Sequence, residues 1–261
     1  MSDARGYGVA AGLDPEVATP LATRCAELGY TSMWANDHPA ASGLETLAEF
    51  AKGTDDLELG VGVHALDRHD PKDLNAKIDD LGLDRSRLLI GVGAGFSEKP
   101  LTKMREIHDE LRDAIPGVRL ILAAMGPKMC MLAGERYDGA FFNWMTPDFA
   151  ANAHRKVSEG AAAAERETPR VYGYVRTSVG ADAETRLAKE EGFYRDLHDG
   201  YRNHFERLGE PAGSVGVAAE QPEDASPAID AYSALDTVVV RGLASANLES
   251  MDRVATAAAP D

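Results

Sequence analysis

Asp37 and His38 stand side by side at the end of the run TSMWANDHPA (31–40), which starts as an apolar strand and stops on a proline. A carboxylate next to an imidazole is a pair able to hold or move a proton, and the reference pKa of imidazole lies near neutrality. The same residues also fit a polar turn that happens to carry a histidine. Other chemistry-bearing residues close other apolar runs: Gly62, Val63 and His64 in LELGVGVHA (57–65), Gly93 and Gly95 in GVGAG (91–95), then Met125, Gly126, Pro127 and Lys128, then Asn143 and Trp144, and finally Arg176. Glycines at alternate positions mark a strand that another group approaches closely. The Gly-Pro opening of a helix at 126–127 leaves free N–H groups able to hold a phosphate, although a plain helix start reads the same way. Lys128 also fits a solvated helix residue, and Trp144 fits rim packing.

Three other chemistries find less support. A metal-assisted hydrolase would place His, Asp or Glu at several strand ends, with an HxH pair early in the chain. The first strand instead ends VAAGLD, and only His38 and His64 are expected to meet, so no metal site is expected. His69, His108, His154, His198 and His204 lie in helical or loop contexts without ligand spacing and read as surface or core-edge residues. No GxSxG elbow is present. GVGAGFSEK lacks the third glycine of a dinucleotide fingerprint. Close-approach glycines, a phosphate-type loop and few charged groups suit a bound organic cofactor that does the chemistry while the protein positions it.

The elements that must position these residues alternate along the chain. Short apolar runs at 6–12, 31–37, 57–65, 87–95, 119–125, 139–144, 170–180 and 236–243 are each followed by an amphipathic stretch, which is the pattern of repeated βα units. Helices are expected at 14–28, 44–52, 71–81, 101–115, 127–136, 147–165, 183–208, 222–234 and 248–258. The strands are continuously apolar rather than alternating, as in a parallel sheet buried on both faces. A (β/α)8 TIM barrel over residues 1–261, as one compact domain with short insertions, is the economical architecture, and an open doubly wound sheet is the competing one. In a barrel all the residues named above fall on the face where the strands end.

At 261 residues with 44% hydrophobic residues the chain has material for one large core. Its 43 acidic against 27 basic residues, net −16, argue against a nucleic-acid partner. The sequence contains no apolar run near the roughly 18 residues of a membrane helix, and MSDARGYGVA lacks a signal-peptide pattern. A cytoplasmic location without membrane association is expected. Cys25 and Cys130 are far apart and suggest no disulfide.

ELGYTSMWANDH, LELGVGVHALDRHDP, DRSRLLIGVGAG and LILAAMGPKMCMLAGERYDGAFFNW together resemble strands two to six of the luciferase-like monooxygenase superfamily, the flavin- or deazaflavin-dependent barrels related to bacterial luciferase. The resemblance runs from Gly6 to about Ala258. It implies an oxidoreductase that transfers hydride between coenzyme F-420 and a small organic substrate. The alternatives are an FMN-dependent monooxygenase and a family member that binds cofactor without turnover. It implies that Asp37 and His38 lie at the cofactor ring, with His38 as orienting or acid–base group, and that Gly62 and Val63 form a bulge with a cis peptide behind the ring, next to His64. It further implies that Gly93 and Gly95 line the cavity, that Met125, Gly126, Pro127 and Lys128 contact the ribityl-phosphate tail, and that Asn143 and Trp144 flank the site. Arg176 is expected to face the substrate. The stretch from Gly95 to Arg119 has room for one helix only, so in place of the cover many relatives carry there the site is expected either to be open or to be covered by the 194–205 helix or a partner subunit. A homodimer is expected because relatives commonly form one.

Overall fold

The computed structural model describes residues 4–260. Its strands are β1 (Arg5–Ala10), β2 (Ser32–Asn36), β3 (Glu58–Ala65), β4 (Leu88–Gly93), β5 (Arg119–Ala123), β6 (Gly139–Asn143), β7 (Arg170–Val179), β8 (Val217–Ala219) and β9 (Thr237–Gly242). Its helices are α1 (Pro15–Glu27), α2 (Gly43–Gly53), α3 (Pro71–Asp80), α4 (Pro100–Glu106), α5 (His108–Ala114), α6 (Pro127–Arg136), α7 (Pro147–Ala163), α8 (Ala183–Leu197), α9 (Asp199–Leu208), α10 (Ala225–Asp230) and α11 (Leu248–Ala257). Proline at the first turn of α1, α3, α4, α6 and α7 starts each helix where a missing N–H costs nothing.

All strand pairs are parallel, in the order β6-β5-β4-β3-β2-β1-β9-β7, and a β6–β7 pairing closes the ring. The expected eight-stranded (β/α)8 barrel is therefore present, and the open sheet is not. β8 is a ninth strand that the sequence pattern did not suggest, because three residues are too few to show a period. It pairs with residues 177–179 of β7, above the point where β6 stops.

Side chains alternate along each strand. One set, including Met33, Ala35, Ile90, Val92, Val238 and Val240, packs outward against the helices. The other fills the lumen: Trp34, Leu89, Ile121, Phe141, Tyr172, Tyr174 and Val239 form one buried cluster. Trp34 lies 4.8 Å from Phe141 and 5.3 Å from Tyr172 between ring centroids, so the lower barrel is solid. Gly60 makes room for it, since a Cβ there would fall 2.2 Å from the indole.

Two expected helices are each broken in two. The 101–115 stretch bends at Ile107, where α4 gives way to α5, and Met104, His108 and Leu111 are all buried. The 183–208 stretch breaks at His198, whose backbone is extended and whose Nδ1 accepts the Gly200 N–H at 2.9 Å. Histidine is not among the common N-capping residues, which is why the break was not expected from sequence.

Candidate active site

Continuing the lumen alternation upward from Trp34, Phe141, Tyr174 and Val239 brings Asn36, Asn143, Arg176 and Arg241 to the strand ends. Arg176 and Arg241 are register partners on β7 and β9. Arg241 donates to the Gly242 carbonyl at 2.9 Å and to Asn36 Oδ1 at 3.4 Å. Arg176 is buried, donates to Asn143 Oδ1, and lies over the ring of Trp144 at 4.3 Å, with Tyr194 and Tyr174 at 5.0 and 5.3 Å. Asn143 Nδ2 donates to the Tyr201 hydroxyl at 3.2 Å. Trp144 has a left-handed backbone (φ 54°), and its carbonyl lies 2.6 Å from His204 Nε2. Three buried polar atoms here have no hydrogen-bond partner: Trp144 Nε1, Tyr174 Oη and Arg176 Nε. Burial pushes the Tyr174 hydroxyl pKa up, so the group stays a neutral donor.

Opposite them β3 is irregular. Its register shifts between Val61 and His64, and the Gly62–Val63 peptide is cis, as the family resemblance implied. Gly62 must be glycine, because a Cβ there would lie 2.8 Å from Tyr174 Oη and 3.1 Å from Phe141. Gly62 and Val63 are half-buried, as are Asn36, Asn143 and Arg241, so solvent reaches this ring of residues. Gly93 sits beside them, with Val63 and Ala123 next to its Cα.

Asp37 belongs to a different neighbourhood. Its side chain points to the β3–α3 connection and the start of α2, and is 3% exposed. It accepts from the Gly43 amide at 3.0 Å and from His69 Nε2 at 2.7 Å, with Arg68 Nη2 and His64 Nδ1 each at 3.6 Å. Burial alone would raise its carboxyl pKa, but the imidazoles of His64 and His69 and the Gly43 amide hold it well below the usual range. Asp37 is thus a permanent carboxylate that ties three segments together. Burial pushes His64 the other way, below the ordinary histidine value, so its ring is neutral, and neither ring nitrogen has a hydrogen-bond partner.

These positions correct several expectations. His64 contacts Asp37 and His69 and shares a cleft with His38. His69, read as a surface or core-edge residue, is part-exposed and is also the closest partner of Asp37. The donor atoms of Asp37, His64 and His69 lie within 4.8 Å of one another, a set of metal-ligand types that sequence spacing did not reveal; at 2.7 Å the Asp37–His69 contact is a hydrogen bond. His38 lies over the ends of β1 and β2, with Nε2 3.3 Å from the Ala11 carbonyl and Nδ1 accepting the Ala40 N–H at 3.3 Å. It lines a cleft of about 520 Å3 with Asp37, Ser42, His64 and His69. Gly95 is exposed in the turn after β4, with φ 62°, pressed against Asp67, which also accepts the Phe96 N–H at 3.0 Å. Met125 and Gly126 are half-buried where α6 begins, open space lies beside Gly126, and Pro127 and Lys128 are exposed. Asn36, Tyr174 and Arg241 were not singled out from the sequence, whereas Tyr194 and Tyr201 fall in the 194–205 stretch expected as a cover; the charged residue closing VVVRGL was the one available signal.

The family model for luciferase-like monooxygenases matches residues 110–256. The chain belongs to that family. A curated relative, the 5,10-methylenetetrahydromethanopterin reductase of Methanolobus tindarius, is 26% identical over 197 residues, a match that spans 59% of this chain and 59% of the reductase. Among solved structures, an F-420-dependent secondary alcohol dehydrogenase bound to an F-420–acetone adduct superposes with a TM-score of 0.73 at 16% identity, covering 99% of this chain and 98% of that one. The F-420-dependent tetrahydromethanopterin reductase of Methanopyrus kandleri gives 0.74 at 17% identity, with 97% and 96% covered. The oxygenating component of 3,6-diketocamphane monooxygenase from Pseudomonas putida, solved with FMN, gives 0.62 at 16% identity, with 98% of both chains covered. At these identities the structural likeness establishes the shared barrel. Among the described residues no helix is long and apolar enough to cross a membrane.

Proposed function

We propose that the protein is an oxidoreductase that moves hydride between coenzyme F-420 and a small organic substrate at the barrel mouth. The observation that carries this reading is the mouth itself, where the half-exposed Gly62–Val63 bulge lies against Tyr174, whose hydroxyl is unpartnered, as are Arg176 Nε and Trp144 Nε1 beyond it. Such donors suit a flat ring rimmed with acceptor atoms. The names of two of the structural neighbours favour the deazaflavin. When bound, that group would supply the hydride-carrying carbon. Gly62, Val63 and Gly93 would back it, Tyr174 and Asn143 would fix its orientation, and Met125, Gly126 and Lys128 would meet its phosphate-bearing tail. His38 would hold or deliver the substrate proton, released from its two long backbone contacts. Asp37 would act only through position, by holding the β2–α2 and β3–α3 connections against each other. FMN-supported monooxygenation is the second reading, favoured by the FMN-bound neighbour on the same barrel. A cytoplasmic location and a homodimer belong to the same proposal; light scattering that finds a lone 27.9 kDa species would remove the dimer.

Fluorescence titration with F-420, reduced F-420 and FMN tests the reading. Tight binding of FMN alone would sink the F-420 assignment, and binding of none would leave a family member without turnover. His38→Ala is expected to bind cofactor as wild type does and to lose turnover by about 10²–10⁴-fold. Unchanged turnover would remove His38 from the reaction.

A further inference from the structure

Arg176 and Arg5 are the two buried arginines among the described residues. Arg5 has a carboxylate, Asp230, at 2.5 Å. Among the described residues Arg176 has none, and neither does its register partner Arg241, although the chain carries 43 acidic residues. Parallel neighbours lie about 4.8 Å apart, so the two arginines leave adjacent strand ends side by side, Arg176 reaching Asn143 on β6 and Arg241 reaching Asn36 on β2. Bringing one of them out of water without a counter-charge is unfavourable by itself.

What surrounds Arg176 fixes its direction and supplies no charge. Trp144, Tyr194 and Tyr174 stack around the guanidinium, Asn143 accepts from one nitrogen, and Nε is left unbonded. Asn36 does for Arg241 what Asn143 does for Arg176. Neutral amide acceptors orient a guanidinium while leaving its charge unneutralised. The left-handed backbone of Trp144, unusual for a bulky residue, puts the indole where it covers Arg176. Tyr194 and Tyr201, from α8 and α9, close over the same point, and Arg241 is the half-exposed member of the pair.

From this we infer that Arg176 and Arg241 form a preorganised receiving site for a planar oxyanion at the barrel mouth, filled by the carboxylate of the substrate. The inference rests on the mouth being the active centre but not on the identity of the cofactor. The same fork could instead meet a reduced, anionic cofactor ring, and the two sources separate experimentally. A guanidinium binds planar oxyanions through two parallel hydrogen bonds, which an ammonium cannot reproduce.

The test is thermal melting of the cofactor-free protein at constant ionic strength, with acetate and benzoate compared with acetamide and benzamide. The expected result is that saturating carboxylate raises the midpoint by several degrees, and that the amides leave it unchanged. Arg176→Met and Arg241→Gln should abolish the shift, and Arg176→Lys should weaken binding about tenfold by keeping charge without the fork. In a second arm, affinities for oxidised and reduced F-420 and FMN are measured for the same variants. A loss confined to the reduced cofactor, with no carboxylate effect, keeps the receiving site and makes the ring the anion. No carboxylate shift and no change in reduced-cofactor affinity overturns the inference. If Arg176→Met fails to fold, the half-exposed Arg241→Gln and the charge-conserving Arg176→Lys still decide it. If no cofactor binds wild type, the carboxylate arm stands alone, so the two proposals fail separately.

Discussion

Arg5 and Arg176 occupy opposite ends of one barrel and are held in opposite ways. Arg5, the first residue of β1, donates to Ser226 Oγ at 2.8 Å, to the Ala258 and Ala259 carbonyls at 2.9 and 2.8 Å and to Asp230 at 2.5 Å. It knits the start of β1 to α10 and the end of α11. Arg176, near the end of β7, is enclosed by rings and one amide and keeps its charge unmatched. The lower face of the barrel uses a buried cation for cohesion, and the upper face keeps one in reserve. This is the division of labour expected of a barrel enzyme, with stability at the strand starts and chemistry at the strand ends.

Substitutions at the two ends and at the Asp37 hub should separate these roles. The largest effect is expected from Arg5→Met, which leaves the Ala258 carbonyl and Asp230 without the arginine donor and the Ala259 carbonyl with Ser226 Oγ alone at 3.3 Å; a loss of about 2–4 kcal/mol in chemical denaturation follows from several broken charge-assisted bonds. A cost below 1 kcal/mol would end the contrast with Arg176. Next comes Asp37→Asn, expected to cost about 1–3 kcal/mol at neutral pH. Because the folded carboxyl pKa is depressed, its stabilisation is present above the unfolded value of about 3.9 and is lost as the pH falls below it. The gap between wild type and Asp37→Asn in melting temperature should therefore be full at pH 6–7 and shrink below about pH 4. A gap independent of pH would mean that Asp37 acts by shape rather than charge. The smallest effect is expected at Arg176→Met, within about 1 kcal/mol of wild type, because relief of an unmatched buried charge offsets the lost ring contacts. A large loss would show Arg176 to be structural, like Arg5.

Strand positions, the helix starts marked by Pro15, Pro71, Pro127 and Pro147, and the collection of functional residue types at strand ends were all legible from local pattern. Local pattern also contains the alternation that sends Trp34 and Asn36 inward and Met33 and Ala35 outward. What it does not contain is the partner of each side chain. Asp37 and His38 are adjacent in sequence, and sequence adjacency suggested one shared role. Asp37 turns to α2 and the loop carrying His69, and His38 contacts the Ala11 carbonyl at the end of β1, yet both line one cleft. His69 looked like a loop histidine because its partner is 32 positions away. Gly95 looked like the last of three close-approach glycines, yet β4 ends at Gly93 and the chain has already turned.

The amino-acid sequence by itself determined the barrel and the strand ends at which chemistry belongs, because each rests on period, punctuation and residue type, all of them short-range properties, and its segments carried the resemblance to the family. Only the tertiary structure decided which charges are matched. Closing the ring puts β9 beside both β1 and β7, which brings Arg241 of the eighth strand in the barrel to Arg176 and Asn36. Charge pairing is a property of distances across that closure, and no spacing along the chain encodes it.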